Sequence, residues 1–167
     1  MGLIENIKDK AKQQLRNIVL PETEDERVLK AAQIVIEEKT ANVILIGNED
    51  TILANAKACG ANIEGAKIVD PKKFFNIDKY IDELVELRKA KGLTREEATE
   101  IMTNEPRFCG GMMVRLGDAD GLVAGSNSPT ADVLKAAIHV IKTAPGINTV
   151  SSAFIMETAD GKFGDNG

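Results

Sequence analysis

Residues 119–137 read ADGLVAGSNSPTADVLKAA, and the order of residue types predicts a strand, a turn and a helix. Apart from Asp120, residues 119–125 are glycine or apolar and end in a glycine, which is typical of a buried strand. Ser128 has the side chain of a helix N-cap, and Pro129 suits the first helical position because it carries no N–H. The helix is predicted over residues 129–142. A buried strand followed by a capped helix is the unit of parallel α/β sheets.

The same alternation of strand and helix continues on both sides of this stretch. Short apolar runs predict further strands at 17–21, 41–47, 66–70 and 148–156. Helices are predicted over 3–16, 49–58, 78–90 and 106–116, and after capping boxes at Thr23–Glu26 and Thr94–Glu97. Because the strands lack alternating polar residues, they are expected to be buried on both faces. The predicted fold class is therefore α/β and doubly wound, with a mainly parallel sheet between two helix layers.

Three helical features predict packing rather than chemistry. Helix 129–142 is expected to turn one apolar row inward, made of Val133, Leu134, Ala137, Ile138 and Ile141. Gly110 and Gly111 each cost a helix about 1 kcal/mol, so they indicate close packing or a broken helix. Cys109 is expected to be a buried structural thiol.

Composition excludes several classes of function. The 167-residue chain has a net charge of -5, 4% aromatic residues and one histidine, His139. An acidic, aromatic-poor chain is unsuited to nucleic acid, and no apolar run approaches the roughly 18 residues of a membrane span. Two cysteines far apart and a single histidine suggest no zinc or other metal site. The charged N-terminus is no signal peptide, so a cytoplasmic location is expected.

The loop at Ser126, Asn127, Ser128 and Thr130 is the first candidate site. Hydroxyl groups, open backbone N–H groups and a helix N-terminus would meet there at the carboxyl end of a parallel strand. Such a place suits an anion such as phosphate. The alternative is an ordinary capped turn, and neither a GxGxxG nor a Walker pattern supports nucleotide binding.

Two cations are further candidates. Arg88 continues the apolar stripe of helix 78–90, so it either aims into a cleft or lies along the surface near the helix end. Lys135 lies within two turns of the loop and could reach a phosphate there, although helix lysines are more often solvated. His139 is expected at the surface or an edge.

The end of the sequence predicts an incomplete protein. Residues 157–167, ETADGKFGDNG, are dense in turn residues, which normally lead into a return strand. A loose polar tail is the alternative. We expect residues 1–145 to form most of one α/β domain and residues 146–167 to begin a second, truncated one, with the boundary near Pro145.

Long stretches resemble one enzyme family. They are IVLPETEDERVLKAA at 18–32, MMVRLGDADGLVAGSNSPTADVLKAA at 112–137 and IKTAPGINTVSSAFIM at 141–156. They are similar to phosphate acetyltransferases, and less specifically to phosphate butyryltransferases and to the related domain of some malic enzymes. A non-catalytic module that binds CoA or an acyl phosphate is the alternative of a different class.

The resemblance implies reversible acetyl transfer between CoA and phosphate, with CoA as substrate, no other cofactor and no metal. It implies a homodimer and a two-domain α/β/α fold related to isocitrate and isopropylmalate dehydrogenases, with the site between the domains. In the family an Asp is proposed to take the CoA thiol proton while a Ser and an Arg stabilise charge. These lie beyond Gly167, so we expect no catalytic residue in this chain and no activity from it alone.

Carried over residue by residue, the resemblance supports the binding residues. Arg88 matches an arginine implicated in CoA binding. Lys135 stands where some relatives have an arginine, and it keeps the charge but not the planar fork. Ser126, Ser128 and Thr130 match the hydroxyl-rich loop at the family's cleft.

Overall fold

The computed structural model describes residues 2–156, so the predictions for residues 157–167 lie outside the described residues. Within this part the strands are β1 (Asn17–Leu20), β2 (Asn42–Ile46), β3 (Lys67–Val69) and β4 (Gly121–Leu122). The helices are α1 (Leu3–Gln13), α2 (Glu26–Glu38), α3 (Glu49–Cys59), α4 (Ile77–Arg88), α5 (Arg95–Asn104), α6 (Pro106–Leu116) and α7 (Thr130–Ala136). A 3-10 turn at Lys89–Lys91 follows α4, and a π-helical turn at Ala137–Ile141 continues α7.

The sheet is parallel throughout its described strands, in the order β3-β2-β1-β4. Alternate residues of β2 enter two separate cores. Val43 and Leu45 pack with α2 and α3 on one face, whereas Ile44 and Ile46 pack with α4, α5 and α6 on the other. The predicted three-layer α/β fold is therefore confirmed. Among residues 2–156, no helix is long and apolar enough to cross a bilayer.

Helix α6 lies against the sheet at Gly110. A Cβ atom placed there would come within 2.8 Å of side-chain atoms of Val19 and Leu122, so only a glycine allows this approach. The neighbouring Cys109 is fully buried, and burial raises the pKa of its thiol to about 12. Of the two alternatives for the glycines, close packing is confirmed, and so is the predicted burial of the Cys109 thiol.

One of the two predicted capping boxes forms. Thr94 and Glu97 cap α5 reciprocally, as expected. The box predicted for α2 is wrong, because Asp25 caps that helix by accepting a 2.9 Å hydrogen bond from the Arg27 amide. Thr23 is instead buried, and its hydroxyl donates to the carbonyl of Ile46 at 3.1 Å. This contact ties the segment after β1 to the end of β2.

The predicted inward row of α7 is wrong. Leu134 and Ile138 are exposed, and the buried residues are Ala136 and Val140. Val140 lies beside Gly111 of α6. The row with the smaller side chains, Ala136 and Val140, therefore faces the core. Both rows have helical spacing, and spacing alone does not tell which of two neighbouring rows meets the core.

The strand predicted at 148–156 is also absent from the described residues. This segment has no regular structure, and large side chains such as Phe154 and Ile155 are exposed. Strand structure requires hydrogen bonds to a neighbouring strand, and none of the described strands pairs with it. The domain boundary near residue 145 stays a prediction.

Candidate functional site

The buried carboxylate of Glu22 joins the loops that follow β1 and β4. Glu22 as a whole is only 3% exposed. Oε2 accepts hydrogen bonds from the amides of Gly125 and Ser126 at 2.7 and 2.9 Å and from the Ser126 hydroxyl at 3.0 Å. Oε1 accepts from the amides of Asn127 and Ser128 at 3.3 and 2.8 Å. The loop therefore binds an anionic group, as predicted, but that group is the chain's own Glu22 carboxylate.

These hydrogen bonds hold Glu22 ionised. Burial alone raises the pKa of this carboxyl, but the hydrogen bonds from Ser128, Ser126 and Gly125 outweigh burial and lower the pKa to about 2. The expectation of open N–H groups in this loop is therefore wrong. The sequence indicated that the loop has donors suited to an anion, but it did not indicate that Glu22 would be that anion.

Ser128 does not cap α7, contrary to the sequence prediction. Pro129 occupies the N-cap position, without a side-chain cap, and Thr130 is the first helical residue. The Ser128 hydroxyl instead accepts a hydrogen bond from the guanidinium of Arg107. The helix begins one residue later than predicted, so Ser128 precedes the N-cap position.

A cleft of about 350 Å³ lies among helices α4 to α7, next to this loop. Arg88 at the end of α4 and Lys135 on α7 both line it, so the structure brings these two predicted cations together. Leu84 and Phe108 form part of an apolar wall. Ser126 faces elsewhere, and its carbonyl accepts a 2.5 Å hydrogen bond from Arg27. Substrate binding by the loop residues stays a prediction.

Arg107 is a cleft residue that the sequence analysis missed. It lies in the first turn of α6, its side chain is 22% exposed, and it donates to Ser128 and to Oε2 of Glu105 at 2.9 Å. A cation in the first turn opposes the helix dipole. That misplaced charge is the signal by which sequence reasoning could have found it.

His139 lies half-buried at the rim of the same cleft. Its ring centroid is 6.2 Å from that of Phe108, in an edge-on arrangement. Burial, and after it the charges of Arg88 and Lys135, lower the pKa of this imidazole. Glu105 and Asp132 also line the cleft, so its three cations exceed its carboxylates by one. This excess of positive charge and the apolar wall suit a ligand that has phosphate groups and a less polar arm.

The parallel three-layer fold, with a polar cleft among helices α4 to α7, defines an α/β protein with a cavity that a small ligand could enter. A family profile described as "Phosphate acetyl/butaryl transferase" matches residues 2–165. The chain belongs to this family, as the sequence stretches predicted.

Similar proteins agree with this assignment. The chain is 47% identical over its whole length to a phosphate acetyltransferase of Thermoanaerobacterium thermosaccharolyticum, and 42% identical to one of Acetivibrio thermocellus. It covers 50% and 49% of those proteins, so it spans about half the length of the curated relatives it matches.

Solved structures show the same likeness. A phosphotransacetylase from Streptococcus pyogenes matches with a TM-score of 0.81 and 31% identity, over 89% of this chain and 46% of the other. The EutD phosphotransacetylase from Staphylococcus aureus matches with a TM-score of 0.79 and 35% identity, over 88% and 44%.

Proposed function

We propose that the chain supplies the CoA-binding cleft of a phosphate acetyltransferase. In that reaction a phosphate oxygen attacks the acetyl carbonyl of acetyl-CoA, the C–S bond breaks, and acetyl phosphate and CoA leave; the reverse reaction regenerates the thioester. Family membership and the names of the relatives support the reaction. The family profile also covers butyryl transfer, so the choice of acetyl rests on those names.

The chemistry of the cleft is the observation that carries this proposal. Arg88, Arg107 and Lys135 present cations to one space, and Leu84 and Phe108 add apolar surface. The cations outnumber the two carboxylates of the cleft, Glu105 and Asp132. CoA combines phosphates with a long, weakly polar arm, so the two kinds of surface match the two parts of the ligand. A volume of about 350 Å³ accommodates part of CoA.

The chain binds and orients in this proposal, and the acetyl transfer needs groups that the resemblance places beyond Gly167. The cations hold phosphate groups of CoA, and the apolar wall excludes water from the arm. The substrates are small molecules. A homodimer and a cytoplasmic location belong to the same proposal, and exposed apolar side chains in 147–156 support association between chains.

We expect the purified 167-residue chain to bind CoA without transferring acetyl groups. Three charged contacts to phosphate, each partly solvated, correspond to a Kd of about 1 mM or tighter. Calorimetric titration with CoA measures the binding, and thioester absorbance with acetyl phosphate and CoA measures the transfer. Absent CoA binding contradicts the proposed function, and turnover at an ordinary enzyme's rate contradicts the division of roles.

We expect Arg88→Ala to weaken CoA binding about tenfold or more, because it removes one charge-assisted contact. Lys89→Ala is the matched control. Lys89 is the next residue and also a cation, but it is exposed and paired with Glu86 at 3.5 Å. Equal losses of affinity in both variants would show that overall charge, and not the cleft, attracts CoA.

A further inference from the structure

Glu22 lies outside the cleft, yet its contacts lead into it. We propose that Glu22 is a positioning residue for substrate binding, which holds the loop at 125–128 so that Ser128 keeps Arg107 in place in the cleft. This inference rests on the proposed function, because Arg107 matters here as a group that meets CoA or phosphate.

The contacts form a continuous path. Oε1 of Glu22 accepts the Ser128 amide at 2.8 Å, so the backbone of Ser128 is held by the carboxylate. The hydroxyl of the same Ser128 accepts from Arg107. Arg107 has a second anchor in Glu105, at 2.9 Å. Removing Glu22 would therefore release one of the two anchors of the guanidinium.

The donors that converge on residue 22 require a carboxylate. Four amides and one hydroxyl point at its two oxygens, and an ionised carboxylate is an acceptor at both. Glutamine would turn an NH2 group towards the donors on one side. The φ angle of Gly125, +112°, bends the backbone so that its amide joins the others. The loop is thus shaped around this side chain.

The same contacts indicate that Glu22 positions other residues and does not bind the ligand directly. Glu22 does not line the cleft, and its charge is already met by the loop donors. A carboxylate in direct contact with a phosphate would repel it. We therefore expect any influence of Glu22 on binding in this cleft to pass through the loop and Arg107.

A double-mutant cycle tests the path. The variants are Glu22→Gln, Ser128→Ala and the double variant, and CoA affinity is measured where thermal unfolding shows each to be folded. We expect each single change to weaken CoA binding about tenfold, and the double change to weaken it hardly more than either. The proposal would be overturned if the losses of CoA affinity in the two single variants multiply in the double variant. It would also be overturned if Glu22→Gln leaves the affinity unchanged.

Glu24→Gln is the matched control, because Glu24 is an exposed carboxylate two residues away whose side chain accepts only a long 3.5 Å contact from Asn127 in the described residues. It should leave CoA affinity unchanged. If Glu22→Gln does not fold, Ser126→Ala removes a single 3.0 Å hydrogen bond to the carboxylate and provides a milder version of the same test.

A ligand-free readout separates this proposal from the proposed function. The NMR signal of Arg107 Nη1, the nitrogen that donates to Ser128, reports whether the guanidinium is held. We expect one sharp signal in the unmodified chain and in Glu24→Gln, and a signal averaged by exchange with water in Glu22→Gln and Ser128→Ala. A sharp signal in Glu22→Gln would overturn the positioning role even where CoA binds. Absent CoA binding, with the expected signals, would instead contradict the proposed function alone.

Discussion

We expect Glu22→Gln to lower the free energy of unfolding by about 3 kcal/mol near neutral pH, and to remove the acid sensitivity that this carboxyl contributes. The pKa of Glu22 falls from its usual 4.5 to about 2 in the folded chain, and each tenfold preference for the ionised form corresponds to about 1.4 kcal/mol. The unfolded chain takes up this proton more readily than the folded chain. The contribution is therefore complete above about pH 4.5 and is lost as the pH falls towards 2.

Urea unfolding at several pH values between 7 and 2.5 measures this effect. The stability difference between the unmodified chain and Glu22→Gln should shrink as the pH falls, because the variant has no carboxyl to protonate at that position. Glu24→Gln controls for the loss of one negative charge, and its difference should stay small throughout. A difference for Glu22→Gln that does not change with pH would show that the carboxylate's charge is unimportant.

Gly110→Val is expected to destabilise the fold by about 2 kcal/mol. A Cβ at this position meets Leu122 and Val19 at 2.8 Å and Ile46 at 3.1 Å, and valine adds two further methyl groups there. Overpacking of this kind costs about 1–3 kcal/mol, and the gain in helix propensity over glycine offsets less than 1 kcal/mol of it.

Gly111→Ala is the matched control in the same helix. Its Cβ would meet Val140 and Ile141 at 3.6–3.7 Å, which is ordinary contact. We expect this variant to be unchanged or up to about 1 kcal/mol more stable, since alanine favours the helix. Chemical denaturation of both variants gives the comparison. Equal destabilisation by the two substitutions would contradict the close approach of α6 to β1 and β4.

Much of the fold could be predicted because its signals are local. The apolar runs of β1 and β2, the helix 106–116 and the Thr94 capping box each depend on residues within a few positions of one another. The strand predicted at 148–156 failed because a strand depends on a neighbour, which sequence periodicity does not reveal. The inward row of α7 failed because its two apolar rows have the same spacing.

The candidate site was predictable only in part. Arg88 stood out because a cation interrupts an apolar stripe, and the structure does place it in the cleft. Glu22 carried no such signal, since its partners lie 103 to 106 positions further along the chain. Arg107 was missed although a cation in the first turn of α6 is unusual, and His139 was expected only at the surface or an edge. They become notable when α6 and α7 meet around one cavity.

The distance in sequence between Glu22 and its loop has a consequence for how the chain folds during synthesis. At roughly 5–20 residues per second of synthesis, Glu22 is made about 5–20 seconds before the residues that bind it. Until β4 joins β1, the carboxylate remains in water and Arg107 lacks one anchor. A contact between segments so distant in sequence carries a large loop-closure cost, so we expect it to form late in folding. Competence to bind would then arrive only with the completed sheet, and partly folded chains would not withdraw CoA from solution.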